Sequence, residues 1–321
     1  MKYSLITSIG LEISKISYGT LIIKDKLDTI KLFEYAFENG INYFDTSDGY
    51  FRGEAEKILG NFIKCHKREN ILIGTKAFFK KENDILRKGL SKKNIFHSIE
   101  NSLRELNTDY IDFFYCHRFD ESTPIEETLE AIQILINQGK ILHWGVCGYS
   151  VYQLCKTYYT AKEKLITNPT VAQYPYNLFN RTLEIELSNA LKDLNIETLV
   201  YYPLAQGVLT GKYNKGIPLN SRASNEQLKK QMWDFNNLKI EQSIKLNSLA
   251  NELNTSPVSL ALNWCLSNTN VKSLITSASN IIQLKEILEF ENFTLTENIK
   301  LEIEKIFDNT PVNQYTGSKY T

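Results

Sequence analysis

Short apolar runs rich in Ile, Val, Tyr and Phe alternate with amphipathic segments along almost the whole chain. The runs cover residues 16–19, 41–46, 71–76, 110–117, 141–147, 171–174, 198–202 and 273–276. Several are apolar nearly throughout, the pattern of parallel strands covered on both faces. Helical periodicity falls between them, at residues 27–39, 55–65, 92–106, 125–138, 151–162, 184–194, 257–267 and 281–290. Thr123 before Pro124, with Glu126 and Glu127 in the first turn, and Ser256 before Pro257 predict helix starts. Asn39-Gly40 and Gln138-Gly139 predict stops.

Eight strand–helix units with no break in composition predict an α/β fold, a (β/α)8 TIM barrel running over residues 1–321 as a single domain. The 321 residues would otherwise suggest about two ordinary domains. A doubly wound sheet is the alternative, and the even spacing of eight units favours closure. Residues 2–7 and 11–13 read as a β-hairpin around Ser8-Ile9-Gly10 that could floor the barrel. Residues 204–239 form a long insertion after strand seven, followed by an extra helix at residues 240–252, and further helix is expected at the C-terminus. Loops of that length are usually functional.

Charge narrows the function. Lys+Arg and Asp+Glu balance at 37 each, whereas a dedicated nucleic-acid binder carries a basic stripe. The lysines at Lys80, Lys81, Lys92 and Lys93 alternate with Glu82 and Asp84 and read as a solvated face. No apolar run approaches the roughly 18 residues of a membrane span. Met1-Lys2-Tyr3-Ser4 opens no secretion signal, so a cytoplasmic location is expected. The five cysteines are scattered without metal or disulfide spacing, and the four histidines show no ligand pairing, so no metal is expected.

In such a barrel the active site lies at the carboxyl ends of the strands. Asp45 ends strand two and Tyr50 follows it; Lys76 ends strand three and His117 ends strand four. An acid, a phenol, an amine and an imidazole aimed at one mouth suit the reduction of a carbonyl. Hydride addition leaves an alkoxide that needs a proton, and a phenol can give one if its pKa falls. A lysine ammonium would lower that pKa, and an aspartate would hold the ammonium in place. The imidazole can orient the carbonyl oxygen or relay the proton. Taken singly, each has a plain structural reading: a turn carboxylate, a packing tyrosine, a rim lysine or histidine. A lyase or isomerase using Lys76 as a Schiff-base amine is a weaker alternative. No G-x-G-x-x-G follows the first strand. Gly207 to Lys212 falls one residue short of a P-loop and has Tyr213 where Ser or Thr would hold magnesium.

The stretch Asn42-Tyr43-Phe44-Asp45-Thr46-Ser47-Asp48-Gly49-Tyr50, followed by Gly53-Glu54-Ala55-Glu56, resembles the aldo-keto reductase superfamily. Thr75-Lys76, Tyr110-Ile111-Asp112, Trp144-Gly145-Val146, Gln173-Tyr174, Tyr202-Pro203-Leu204-Ala205 and Ser277-Ala278-Ser279-Asn280 continue the match in order. Gly89-Leu90-Ser91 and the stretch from Gly211 to Ser224 are most similar to the branch holding potassium-channel β-subunits and their bacterial relatives. The resemblance implies that Asp45, Tyr50, Lys76 and His117 are a catalytic tetrad with Tyr50 the proton donor. Channel β-subunits often lack the histidine that stands here at His117.

The same resemblance implies NADPH as cofactor, with NADH left open. Gly19 and Thr20 would line its path, Gln173 would meet the nicotinamide amide and Tyr201 would stack on the ring. Leu204, Gly207 and Lys212 would lie along the pyrophosphate, Ser221 and Arg222 would close over it, and Ser279, Gln283 and Glu286 would meet the adenosine end. Cys147 and Gly148 depart from the family, which commonly has Ser with Asn or Arg there, so more of the carboxamide grip would fall to Gln173. Tyr202 and Ile287 are further departures. Ser277 and Gln283 stand where some branches carry a basic pair for the 2′-phosphate, which leaves Lys212 and Arg222 as its candidate partners.

The expected partner is a small carbonyl compound. Leu21, Phe51, Phe78, Phe79 and Phe119 could wall its pocket, with Arg118 able to meet an acid or phosphate. Trp233, in the insertion, could cover the mouth. The competing class is a nucleotide-holding, redox-sensing subunit that docks on another protein. Association into a homo-oligomer stays open.

Overall fold

A computed structural model describes residues 1–22, 26–79, 88–219, 221–232 and 234–307. Lys80, Lys81, Glu82, Asp84 and Trp233 lie outside the described residues. The chain opens with an antiparallel pair, β1 (Tyr3–Ile6) and β2 (Leu11–Ser14). Eight parallel strands follow: β3 (Ile16–Gly19), β4 (Tyr43–Asp45), β5 (Leu72–Ala77), β6 (Ile111–Cys116), β7 (Ile141–Cys147), β8 (Val171–Pro175), β9 (Glu197–Tyr201) and β10 (Val271–Thr276). They are hydrogen-bonded in sequence order, and β10 pairs with β3 to close the barrel, Leu274 opposite Ile16. Closure excludes the doubly wound alternative.

The helices are α1 (Lys26–Glu38), α2 (Glu54–Ile63), α3 (Lys92–Glu105), α4 (Ile125–Asn137), α5 (Val151–Glu163) and α6 (Leu187–Asp193). After β9 come a four-residue α7 (Glu226–Lys229), α8 (Asn237–Glu252) and α9 (Pro257–Leu266). α10 (Ile281–Leu288) and α11 (Glu297–Phe307) end the described chain. The extra helices thus stand where the sequence puts them, after the seventh barrel strand and at the C-terminus.

Local chemistry accounts for most boundaries. Ser256 accepts from Ser259 N with Pro257 at the first helical position, and Ser150 and Gln153 form a capping box on α5. Gly40 and Gly139 take positive φ just past α1 and α4. Thr123 departs from expectation. Its hydroxyl donates to Asp120 Oδ2 at 2.7 Å, and Pro124 occupies the N-cap of α4 without a side-chain cap. The second barrel strand is also shorter than its apolar run: it ends at Asp45, and beyond it Thr46 N and Asp48 N still donate to the Gly74 and Lys76 carbonyls of β5.

Two apolar cores result. One lies between the strands and the helix ring, centred on residues such as Phe33, Phe44, Phe62 and Trp144. The other fills the barrel, where Ile6 and Ile13 of the hairpin pack under Tyr43, Phe113, Tyr115, Val171 and Leu199. Glu197 at the start of β9 accepts from Thr7 N at 2.7 Å and Ser8 Oγ at 3.0 Å, tying the hairpin on as a floor. The opposite end, where the strands finish, is the open one.

Candidate active site

Side-chain alternation along the strands aims Tyr43 and Asp45 of β4 into the barrel, one layer apart, and likewise Tyr115 of β6 and His117 just beyond it. The layers end in a buried polar cluster. Lys76 Nζ donates to Asp45 Oδ1 and, at 2.7 Å, to the Thr46 carbonyl. Asp45 Oδ2 accepts from Gln173 Nε2 at 2.7 Å and from Tyr43 Oη at 3.1 Å. The single Tyr43 hydroxyl proton has a second acceptor in Tyr115 Oη at 3.2 Å. Asp45 and Lys76 are 3 % and 2 % exposed. A buried ion pair of this kind survives because further hydrogen bonds satisfy both partners.

Tyr50 sits above the pair on a short 3-10 turn, its ring centroid 5.4 Å from Lys76 Nζ and 6.0 Å from the His117 ring. The tetrad residues are therefore together. Their electrostatics differ from expectation in one respect. Burial, and after it the Asp45 carboxylate, push the Tyr50 hydroxyl well above its ordinary value, whereas the sequence predicts a lowered one. Lys76 is already engaged by Asp45, so its charge does not dominate at the phenol. Burial first, then the Lys76 and Arg118 cations, push His117 down to about 2. The site therefore presents a protonated phenol and a neutral imidazole. The Lys76 amine donates to two acceptors, and removing its proton for Schiff-base attack would leave the buried Asp45 carboxylate without its cation.

The remaining predicted residues are spread around this mouth. Thr20 Oγ1 donates to Thr46 Oγ1 at 2.9 Å, and Gly19 lies against Ile275 and Ser277, whose hydroxyl bonds the Gly19 carbonyl at 2.6 Å. Gln173 is 1 % exposed and its amide nitrogen is turned to Asp45. Tyr201 and Tyr202 meet edge to face at 5.1 Å at the end of β9. Beyond them the backbone is unusual: Tyr202, Ala205, Gln206 and Gly207 all have positive φ. Non-glycine residues in that region cost about 1–3 kcal/mol each, and such strain clusters at binding loops.

Leu204 caps this loop, and the Lys212 amine lies over Gly207, where a Cβ would leave no room for it. Ser221 Oγ is buried with no hydrogen-bond partner among the described residues, and Arg222 bonds Tyr202. Ser279 N and Oγ both donate to Gln283 Oε1 at 2.9 Å at the start of α10, one turn before Glu286. Leu21 is partly buried beside Thr20, and Phe79 is 45 % exposed with its ring 4.7 Å from that of His117. Phe119 belongs elsewhere: it packs on Tyr149 and lines a separate cleft with Asp120, Thr123 and Lys156.

Three contributors escaped the sequence reading. Tyr43 and Tyr115 were legible as inward-facing by their two-residue offset from Asp45 and His117. Ser47 has the same offset from Asp45; its Oγ lies 3.3 Å from His117 Nδ1 and 3.2 Å from the Lys76 carbonyl.

A barrel whose strand ends gather Asp45, Tyr50, Lys76 and His117 can be compared with known proteins. Residues 15–307 match the model of the "Aldo/keto reductase family". The chain belongs to the aldo/keto reductase family. It is also 34 % identical to a protein of Arabidopsis thaliana and to one of Oryza sativa subsp. japonica, each named "Probable voltage-gated potassium channel subunit beta". Both matches cover 97 % of this chain and 98 % of the relative. Members of the family are generally NAD(P)H-dependent oxidoreductases. The residues present fit such a dinucleotide. The glycine cradle under Lys212, the unpartnered buried Ser221 hydroxyl and the left-handed loop are what a pyrophosphate needs around it. No helix among the described residues is long and apolar enough to cross a membrane.

Proposed function

We propose that this family member reduces an aldehyde or ketone to an alcohol, with NADPH as its reductant. The observation that carries the reading is the Lys76–Asp45 ion pair buried directly under Tyr50, with His117 beside it. When bound, the reduced nicotinamide supplies the hydride. Tyr50 holds a proton above the buried pair and gives it to the carbonyl oxygen as negative charge develops there. Lys76, fixed by Asp45 and the Thr46 carbonyl, places positive charge where the phenolate forms and so stabilises the donor's product state. His117 is neutral, so it orients the oxygen by hydrogen bonding and does not act as a cationic acid. Ser47 has one proton for two acceptors. Given to His117 Nδ1, it leaves the ring proton on Nε2, ready to donate to the substrate oxygen.

Lys212, Ser221 and Arg222 would hold the phosphates, Ser279, Gln283 and Glu286 the adenosine end, and Tyr201 the nicotinamide face. Gly19, Thr20, Leu204 and Gly207 would shape the path between. A second reading draws on the two plant relatives: a nucleotide-holding subunit that docks on another protein and turns over slowly.

Single-turnover mixing of the NADPH-loaded protein with reactive aldehydes, followed at the nicotinamide absorbance band, separates the two. Tyr50→Phe is expected to slow oxidation by at least about 100-fold while nucleotide affinity is retained. Nucleotide oxidation that is slow in the wild-type protein with every aldehyde would favour the subunit.

A further inference from the structure

Arg118 is the first residue past His117, and its guanidinium is set into the rim of the same mouth. Nη1 donates to the His117 carbonyl at 2.7 Å and to Cys147 Sγ at 3.5 Å, and a further bond reaches the Tyr201 side chain. The fork is held in place on three sides. Gly148 makes the room: it has φ +66°, and a Cβ there would lie 3.2 Å from Nη1. The other side of the guanidinium faces Phe79, with Cζ 5.9 Å from the ring centroid.

Charge balance separates Arg118 from two other partly buried arginines. Arg68 pairs with Asp112 at 2.5 Å and Arg181 with Glu184 at 2.6 Å, whereas Arg118, like Arg222 of the loop after β9, is partly buried without such a pair among the described residues. No carboxylate pairs with Arg118 among the described residues, and its three acceptors are a carbonyl, a thiol and a phenol. The mouth's own carboxylate, Asp45, is already committed to Lys76. A desolvated cation without a counter-ion is unfavourable, and a guanidinium has five N–H donors, so two remain to be matched.

We propose that Arg118 is an anion receptor in the substrate site, and that the carbonyl compound reduced here carries an oxyanion group, carboxylate or phosphate. This rests on the reductase reading and names its substrate class. Phe79 links the two ends of the substrate. The centroid of its exposed ring lies 4.7 Å from that of the His117 ring and 5.9 Å from Arg118 Cζ, so a molecule reaching both residues meets an aromatic platform. The carbonyl end meets Tyr50 and His117, and the anionic end meets the guanidinium fork, which accepts carboxylate or phosphate oxygens two at a time. The rival role for Arg118 is a grip on the nicotinamide carboxamide, substituting for the family residues replaced by Cys147 and Gly148.

The test compares 4-carboxybenzaldehyde and 4-formylphenyl phosphate with the neutral methyl 4-formylbenzoate, in the wild-type protein and in Arg118→Met. The ratio of kcat/KM for a charged aldehyde over the neutral one is expected to fall by about 10-fold to 100-fold in the variant, the worth of one hydrogen-bonded charge pair. The aldehyde whose ratio falls more identifies carboxylate or phosphate as the preferred group. Arg118→Lys, which keeps the charge but not the fork, is expected to lie between. Calorimetric titration with the unreactive dianion terephthalate, in the presence of NADP+, gives a readout free of turnover; binding should be lost in Arg118→Met. An unchanged ratio in a folded variant overturns the proposal, as does weaker NADPH binding with no change in charge preference, which is the carboxamide outcome. Terephthalate binding that depends on Arg118, with no aldehyde reduced, would instead sink the reductase reading and keep the anion site.

Discussion

His117 shows how burial decides a residue's job. A histidine at a strand end could serve as acid, base or simple donor, and the ordinary imidazole value of about 6.5 leaves all three open at neutral pH. Here it is 7 % exposed and faces two cations, and its value falls to about 2. The consequence for stability has a definite sign. Above pH 6.5 the imidazole is neutral in both folded and unfolded chains and contributes no pH dependence. Between pH 6.5 and 2 the unfolded chain takes up a proton that the folded one refuses, so stability falls as pH falls. At pH 5 the loss is about 2 kcal/mol. Urea unfolding at pH 7.5 and pH 5 should therefore show the wild-type protein losing about that much more than His117→Gln. Equal losses would mean that the histidine is not held neutral. Tyr50 moved opposite to expectation for the same reason. The sequence showed a lysine that could acidify it and an aspartate to hold that lysine, but not the depth of burial or the nearness of the Asp45 charge to the phenol.

Glycines inside motifs explain themselves only when elements are brought together. Gly145 of the Trp144-Gly145-Val146 motif is at the β7–β8 seam, opposite Val171 in register, and a Cβ there would run into the Val171 carbonyl oxygen. Gly60 of α2 lies against the backbone of Glu105 and Leu106 at the end of α3, and Gly74 of β5 clears a path for the Tyr43 hydroxyl. Glu56, in the stretch that carries the family resemblance, is buried and accepts from Thr75 Oγ1 at 2.6 Å, joining α2 to β5. Gly139 is different: it has φ +69° with open space around it. Gly145→Ala is expected to lose about 3 kcal/mol, because backbone cannot yield as a side chain does. Gly139→Ala should lose about 1–2 kcal/mol, the strain of a left-handed alanine alone. Chemical unfolding midpoints of the two variants check the order, and a larger loss at Gly139 would refute the steric account.

At the scale of the whole molecule, the barrel's two ends divide the work. The floor is apolar and plugged by the hairpin, while the open end carries the charged cluster and the strained loop after β9. Because Ile6 and Ile13 share one interior cluster with Tyr43 and Tyr115, floor and site are joined through packed side chains. We propose that residues 1–321 fold as a single domain. Ile13→Ala should then lower stability by about 2–5 kcal/mol and shift the entire transition. The emission of Trp144 and Trp264, both buried, and far-UV circular dichroism should move together. A separate early transition would show the hairpin to be an independent unit.

Periodicity was enough to determine the eight strand–helix units and their order, since alternation of apolar runs with amphipathic segments follows from local burial alone. The positions of Asp45, Tyr50, Lys76 and His117 at successive strand ends were legible for the same reason, as was the cap at Ser256. What only the tertiary structure decided is how these groups are partnered beyond the Asp45–Lys76 pair: Gln173 with Asp45, Ser47 with His117, and Arg118 with no carboxylate among the described residues. Those pairings join residues up to 128 positions apart. Their energies depend on burial and distance, which a local pattern does not encode. Charge and hydrogen-bonding partners are set by closure of the barrel, and with them the protonation state of each group at its mouth.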